Sequence, residues 1–171
     1  MSSYSKLIIF IVVLAIISAA IVFIDGSTDN MNKSMHEISD GIVQGDNDYN
    51  LAVDLVNNKN YNDSMEKAKS AVNNYNKSLS KLQDIKNNFS ADVNSVHQDY
   101  INTVITEVEL KLKAADLLQQ AIDCFKVNSN YTGSNYGSQA NDKMNQAKVY
   151  QDQRDAIVRN NSNLFKQEFS I

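Results

Sequence analysis

Apolar residues recur along most of this chain at the spacing of helices that each bury one stripe. From Met31 the series Met31, Met35, Ile38, Ile42, Gly45, Tyr49, Ala52 and Val56 advances by alternating fours and threes. After Asn57-Asn58-Lys59-Asn60, the series Tyr61, Met65, Ala68, Val72, Tyr75, Leu79 and Leu82 keeps the alternation, and Ile85 and Phe89 extend it. A 3.5-residue repeat held over about three heptads, with polar residues between, marks helices that supercoil left-handedly. The polar tract between the two series reads as a tight turn, so the helices form an antiparallel hairpin.

Ser90-Ala91-Asp92 supplies an N-cap and an acidic first turn for a third helix. Its apolar positions, from Val93, Val96, Tyr100 and Ile101 to Leu118, Ile122 and Phe125, make a face broad enough for several neighbours, which places it at the centre. Asn128–Gly137, with two glycines and several Asn and Ser, reads as an exposed loop. A fourth stripe of Ala140, Met144, Ala147, Tyr150, Ile157, Leu164 and Phe165 follows, interrupted by Arg154 and Asn161. In this register both would face the core, either partly exposed with the Arg stem over apolar surface or as a buried polar pair that fixes register. The pattern predicts helices over about 31–57, 61–89, 91–127 and 138–169. Joined by short connections, they make an antiparallel, coiled-coil-like four-helix bundle.

The start of the chain follows another rule. After residues 1–6, Leu7–Ile24 holds eighteen residues without a charge. As a helix it would cover about 27 Å, close to the hydrocarbon thickness of a bilayer. The expectation is an all-α chain with a transmembrane helix over 7–24, a juxtamembrane linker over 25–30 and an extracytoplasmic bundle over 31–171. Lys6 before the run and Asp25 and Asp29 after it put the amino terminus in the cytoplasm and the rest outside. A cleaved signal is the competing reading, since Ser18-Ala19-Ala20 follows a shorter apolar run; cleavage would leave a greasy new start at Ile21 and release the chain. Membrane lipid is thus the first partner expected. Ala15 and Ala19 form a small-xxx-small pair of the kind that seats a second helix, so oligomerisation stays open.

Composition narrows the chemistry. The chain has no Pro or Trp, and its formal net charge is −4 without a basic run, so nucleic acid is not an expected partner. The single Cys124 permits no internal disulfide and reads as a small buried hydrophobe, so packing must hold the domain. His36 and His97 are too far apart for a metal motif and read as exposed or core-edge residues. Glu107, Glu109, Asp116 and Asp123, with Lys111 and Lys113 between them, read as a solvated helix face. No phosphate loop or nucleophile pair is present, so no catalytic, cofactor or metal residues are assigned and no enzyme is expected. Tyr131 and Tyr136 flank the glycines of the expected loop and are the candidate partner contacts. Among six Asn-x-Ser/Thr sites, Asn130 is the preferred candidate for glycosylation.

Tyr49-Asn50-Leu51-Ala52-Val53-Asp54-Leu55, continuing through Tyr61, Ser64, Ala68 and Ala71, resembles one tetratricopeptide-like hairpin over about residues 45–71. Leu51, Ala52 and Leu55 match that motif's large-small-large triplet. Ala68 stands where a large aromatic is usual, the closing proline is missing and no second copy occurs. The resemblance implies a helical hairpin and no activity. The whole chain also looks like the sensory four-helix bundles of bacterial and archaeal receptors, without their return through a second membrane helix. The expected function is that of a non-enzymatic, membrane-tethered bundle serving as a structural or protein-interaction module of the envelope. The alternative is a ligand-sensing bundle that signals through a separate membrane partner, with a cavity near Gly45 and Arg154.

Overall fold

The computed structural model describes residues 19–23, 29–88 and 93–169. In chain order it contains β1 (Ala19–Phe23), α1 (Asp29–Asn57), α2 (Tyr61–Asn87), α3 (Ser95–Lys126), α4 (Asn130–Asn160) and β2 (Phe165–Phe169). The four helices are antiparallel neighbours in sequence order. α1 packs on α2, α2 on α3 and α3 on α4, and α3 also reaches α1. Among the described residues α1 and α4 scarcely touch, so theirs is the sparsest seam between neighbouring helices.

Both turns at one end of the bundle close by the same device. Lys59 and Asn128 each adopt φ of 59°. Around the first, Asn60 N–H bonds Leu55 O at 2.8 Å and Lys59 N–H bonds Val56 O at 2.9 Å; around the second, Ser129 N–H bonds Cys124 O at 2.9 Å and Asn128 N–H bonds Phe125 O at 3.1 Å. This is the Schellman closure, which satisfies the last helical carbonyls with one left-handed residue. The first turn falls where the polar tract predicts it. In the second, the expected loop Asn128–Gly137 gives way to a three-residue connection, 127–129, because α4 begins at Asn130 instead of about Ser138. Gly133 and Gly137 therefore lie inside a helix and do not reverse the chain, and of the two only Gly133 is required by packing. A Cβ on Gly133 would lie 2.6 Å from Phe125 Cε1, so glycine there lets α4 lie close against α3.

The core follows the heptads closely in the first hairpin. Ala52, Ala68, Ala71, Tyr75 and Leu82 are fully buried, and Ser64 Oγ donates to Ala52 O at 2.7 Å across the close seam. Leu51, a large residue of the tetratricopeptide-like triplet, is instead 43% exposed. α3 starts at Ser95 behind an Asn94 cap whose side chain accepts from Val96 N–H at 2.9 Å, later than the Ser90–Asp92 start expected. The expected cap and Phe89 lie outside the described residues.

The other end of the bundle departs most from expectation. Ala19–Phe23 is a strand, paired antiparallel with Phe165–Phe169 so that Ala19 faces Phe169 and Phe23 faces Phe165. The fourth helix ends at Asn160, not 169. Phe23 is buried among His97, Tyr100 and Phe165, with ring centroids 4.7, 5.8 and 5.7 Å away. Asn32 on α1 grips the Phe23 backbone from both sides, accepting from its N–H at 2.7 Å and donating to its carbonyl at 3.0 Å. Burying the Phe23 side chain contributes about 1.5–3 kcal/mol to holding the ribbon against the bundle. No helix among the described residues is long and apolar enough to cross a membrane. The expected 7–24 helix lies outside them as far as residue 18, and its last residues are corrected from helix to strand through Phe23.

Candidate functional site

Beneath the seam between α1 and α4 lies a row of buried polar side chains that should not, by composition, be in a core. α3 carries a second heptad series, His97, Tyr100, Val104, Glu107, Lys111, Ala114, Leu118, Ala121 and Phe125, and every member is buried. On α4 the matching series is Gly133, Gly137, Ala140, Met144, Ala147, Gln151, Arg154 and Val158, all buried except Arg154, whose side chain is 14% exposed. Glu107 and Lys111 thus correct the expectation of a solvated face: they are 0% and 1% exposed. The heptad steps of three and four running through Tyr100, Val104, Ala114 and Leu118 carried that signal, hidden because two members are charged.

These residues join in one chain of contacts that crosses all four helices. Tyr75 OH on α2 donates to Asp46 Oδ1 on α1 at 2.8 Å. Lys111 Nζ on α3 reaches Asp46 Oδ2 at 2.8 Å and Glu107 Oε1, one turn away, at 2.9 Å. Arg154 on α4 donates through Nη1 to Glu107 Oε2 at 3.0 Å, and through Nη2 and Nε to its neighbour Asp155 at 3.1 Å each. Lys111 Nζ thus bridges the Asp46 and Glu107 carboxylates.

Burial pushes the Asp46 carboxyl above the ordinary carboxylate range, against the pull of Lys111. For Lys111 desolvation works against the charged form, but Glu107 and Asp46 outweigh it and hold the ammonium above its usual value. Arg154 is likewise held charged, chiefly by Glu107 against desolvation. Burial, with Asp46 next to it, raises the Tyr75 phenol well above its ordinary value. A buried network of this kind adds little net stability against an apolar core, yet it penalises every register that separates its partners.

Beside the network lies a cleft of about 50 Å³. Its walls come from Met35, Ile38, Ile42 and Asp46 on α1, Tyr100, Val104, Glu107 and Lys111 on α3, and Gln151, Arg154 and Asp155 on α4, with Ser39 and Val43 also lining it. The numbering along parallel α1 and α3 puts apolar residues towards the β ribbon and the charges further in. Among the described residues, no group of three or more His, Cys, Asp or Glu side chains could hold a metal ion.

The other sequence-singled residues lie elsewhere. Asn130 and Tyr131 are exposed in the first turn of α4, Tyr131 at 88%, while Tyr136 is half-buried against the core. The three belong to a helix and not to a loop, remote in sequence from the charged cluster. His97 is fully buried, which corrects the core-edge expectation; its Nε2 donates to Leu164 O at 3.2 Å, and its Nδ1 has no partner. His36 and Cys124 are half-buried. Asp46 escaped the sequence reading because it flanks the α1 heptad series instead of belonging to it. Comparison with protein-family models, with curated proteins and with solved structures finds no match to this chain, so the tetratricopeptide-like and receptor-like resemblances gain no relative to rest on.

Proposed function

We propose that this chain is a non-enzymatic, membrane-tethered extracytoplasmic helical bundle that serves as a structural or protein-interaction module of the envelope. The observation that supports the reading is the end of the bundle at which α1 begins and α4 finishes, whether or not β1 stays paired. β1 and β2 meet at the end opposite the two Schellman turns, so the apolar start would enter the bundle at one end and leave the other for contacts. At that far end Val127 and Tyr131 are exposed at 74% and 88%. The charge network supports a rod of fixed register, about 40–48 Å long for helices of 27–32 residues.

The tether rests on the apolar composition of Leu7–Ile24. While Ala19–Phe23 keeps its strand, residues 7–18 alone would make about 18 Å of helix, short of a bilayer core of about 30 Å. A spanning helix over 7–24 therefore requires β1 to leave β2. Protease shaving of intact cells that carry a carboxy-terminally tagged chain, with alkaline carbonate extraction of membranes, tests the reading. Loss of the tag with a carbonate-resistant amino-terminal remnant is the expected result. A membrane-bound, fully protected tag refutes the topology, and tagged chain in the medium refutes the tether.

A second reading, a ligand-sensing bundle acting through a separate membrane partner, is favoured by the cleft beside Asp46 and Arg154. Thermal shift of the purified chain against a small-molecule panel tests it. Reproducible, saturable stabilisation is expected; a panel without effect refutes it.

A further inference from the structure

We propose that Ala19–Phe23 is a strap with two mutually exclusive seats, the strand paired with β2 and the last turns of a membrane helix over 7–24, so that insertion into a lipid bilayer unzips the ribbon. This rests on the tether reading and adds a conformational coupling to it. The lengths force the choice. With the strand seated, residues 7–18 would cover about 18 Å as a helix, against a bilayer core of about 30 Å; with 19–24 added they would cover about 27 Å. A strand held by β2 cannot at the same time be helix in hydrocarbon, where every backbone polar group must be satisfied within the helix.

The bundle holds the strap through Phe23. Its ring lies among His97, Tyr100 and Phe165, and Asn32 clips its N–H and carbonyl. Both backbone groups turn to Asn32 and so point away from β2, which leaves the ladder bonds to the pairs Val22–Lys166 and Ala20–Glu168. His97 Nε2 bonds Leu164 O, so the chain entering β2 is tied to α3 independently of β1 and can stay docked when the strap leaves. The other ring nitrogen, Nδ1, is buried without a hydrogen-bond partner while Phe23 is seated. Departure of Phe23 lets water reach that atom, which returns part of the cost of exposing the pocket. The departing residues Ile21-Val22-Phe23 are received by lipid and not by water, so their hydrophobic burial is exchanged and not lost.

The test uses the full chain carrying Ala20→Cys, Glu168→Cys and Cys124→Ser, purified in nonionic detergent and diluted into phosphatidylcholine–phosphatidylglycerol vesicles. The vesicles are washed in alkaline carbonate and floated. Reduced chain should float with them; the same chain oxidised beforehand should float about tenfold less and recover when reductant is added. Equal flotation of the two redox states overturns the strap and leaves the tether standing. Failure of the wild-type chain to float overturns the tether reading and the strap with it. Because the two thiols could fail to pair, two measurements do without them. Asn32→Ala removes the clip and leaves 7–24 unaltered, so it should lower the lipid needed for half-maximal insertion by about threefold. In the vesicle-bound wild type, the amides of Lys166 and Glu168 should exchange hydrogen about a hundredfold faster than those of Val104 and Val108 on α3. An unchanged lipid requirement, or ribbon amides as protected as those of α3, overturns the proposal.

Discussion

Lys111→Met removes the cation at the centre of the buried network and nearly preserves its volume. Nζ lies 2.8 Å from Asp46 and 2.9 Å from Glu107, and the side chain is 1% exposed. Its loss leaves Asp46 with only the Tyr75 hydroxyl, and Glu107 with only Arg154. Breaking a buried pair from one side costs about 3–5 kcal/mol. An independent bound agrees. The stranded Asp46 can escape by taking a proton, which at pH 7 costs about 1.4 kcal/mol for each of roughly three pH units above its unfolded pKa, or about 4 kcal/mol. For a chain of this size that lowers the melting temperature by about 6–20 °C.

The escape route also fixes the pH dependence. The folded variant would hold a proton on Asp46 that the unfolded chain lacks, so its stability falls as pH rises and recovers as pH drops towards 4. Relative to the wild type, the deficit should shrink by about 1.4 kcal/mol per pH unit between pH 7 and 5. Urea melts followed by circular dichroism at each pH measure this. Adding Asp46→Asn should recover at least about 2 kcal/mol of the sum of the two single costs, since the pair is in direct contact. A loss below about 1 kcal/mol, flat with pH and additive with Asp46→Asn, would refute the buried four-helix network.

Alkali should unfold the chain steeply. Burial holds the Tyr49, Tyr75 and Tyr100 phenols above their ordinary value, and the partners of Lys111 raise it as well. All four groups keep protons in the folded state that the unfolded chain loses, so stability should fall by up to about 5 kcal/mol per unit above pH 10; a flat urea midpoint from pH 9 to 11.5 would contradict this. Gly45→Ala should cost about 1–3 kcal/mol, because its Cβ would press on the Tyr75 ring, 2.6 Å from Cδ1, and push the hydroxyl off Asp46. Gly137→Ala meets nothing within 4 Å and should stabilise α4 by about 0.5–1 kcal/mol; equal effects of the two in thermal melts would undo the packing argument. Ala20→Cys with Glu168→Cys, in a Cys124→Ser background, should oxidise to a disulfide in the purified chain, since the two positions are paired across the ribbon. Persistent free thiols on a reducing and non-reducing gel would show the register to be wrong.

Much of the bundle was legible because helix packing speaks through periodicity. Tyr75, Leu82 and Ala68 lie in the core where their heptads put them, and Lys59 reverses the chain inside the predicted turn. The Asn128–Gly137 segment misled because glycine signals a turn and a close helix approach alike, and only the Phe125 ring across the seam tells which is in force. Phe165 satisfied a helical stripe, but one large apolar side chain can be claimed by any partner that buries it, and here Phe23 of the paired strand does.

The candidate site was legible only in part. Arg154 broke its stripe and so announced itself as a polar residue aimed at the core. Glu107 and Lys111, one turn apart with opposite charge, look like any exposed i,i+4 pair, and Asp46 carries no local mark. The sequence by itself determined four amphipathic helices, their order and their antiparallel hairpins, since those follow from local spacing along one chain. Which charges are buried, which seam is sparsest and which strand closes the end were decided only by the tertiary structure. Each depends on groups far apart in sequence, Asp46 with Lys111 and Phe23 with Phe165, whose desolvation and pairing take effect only when the helices dock.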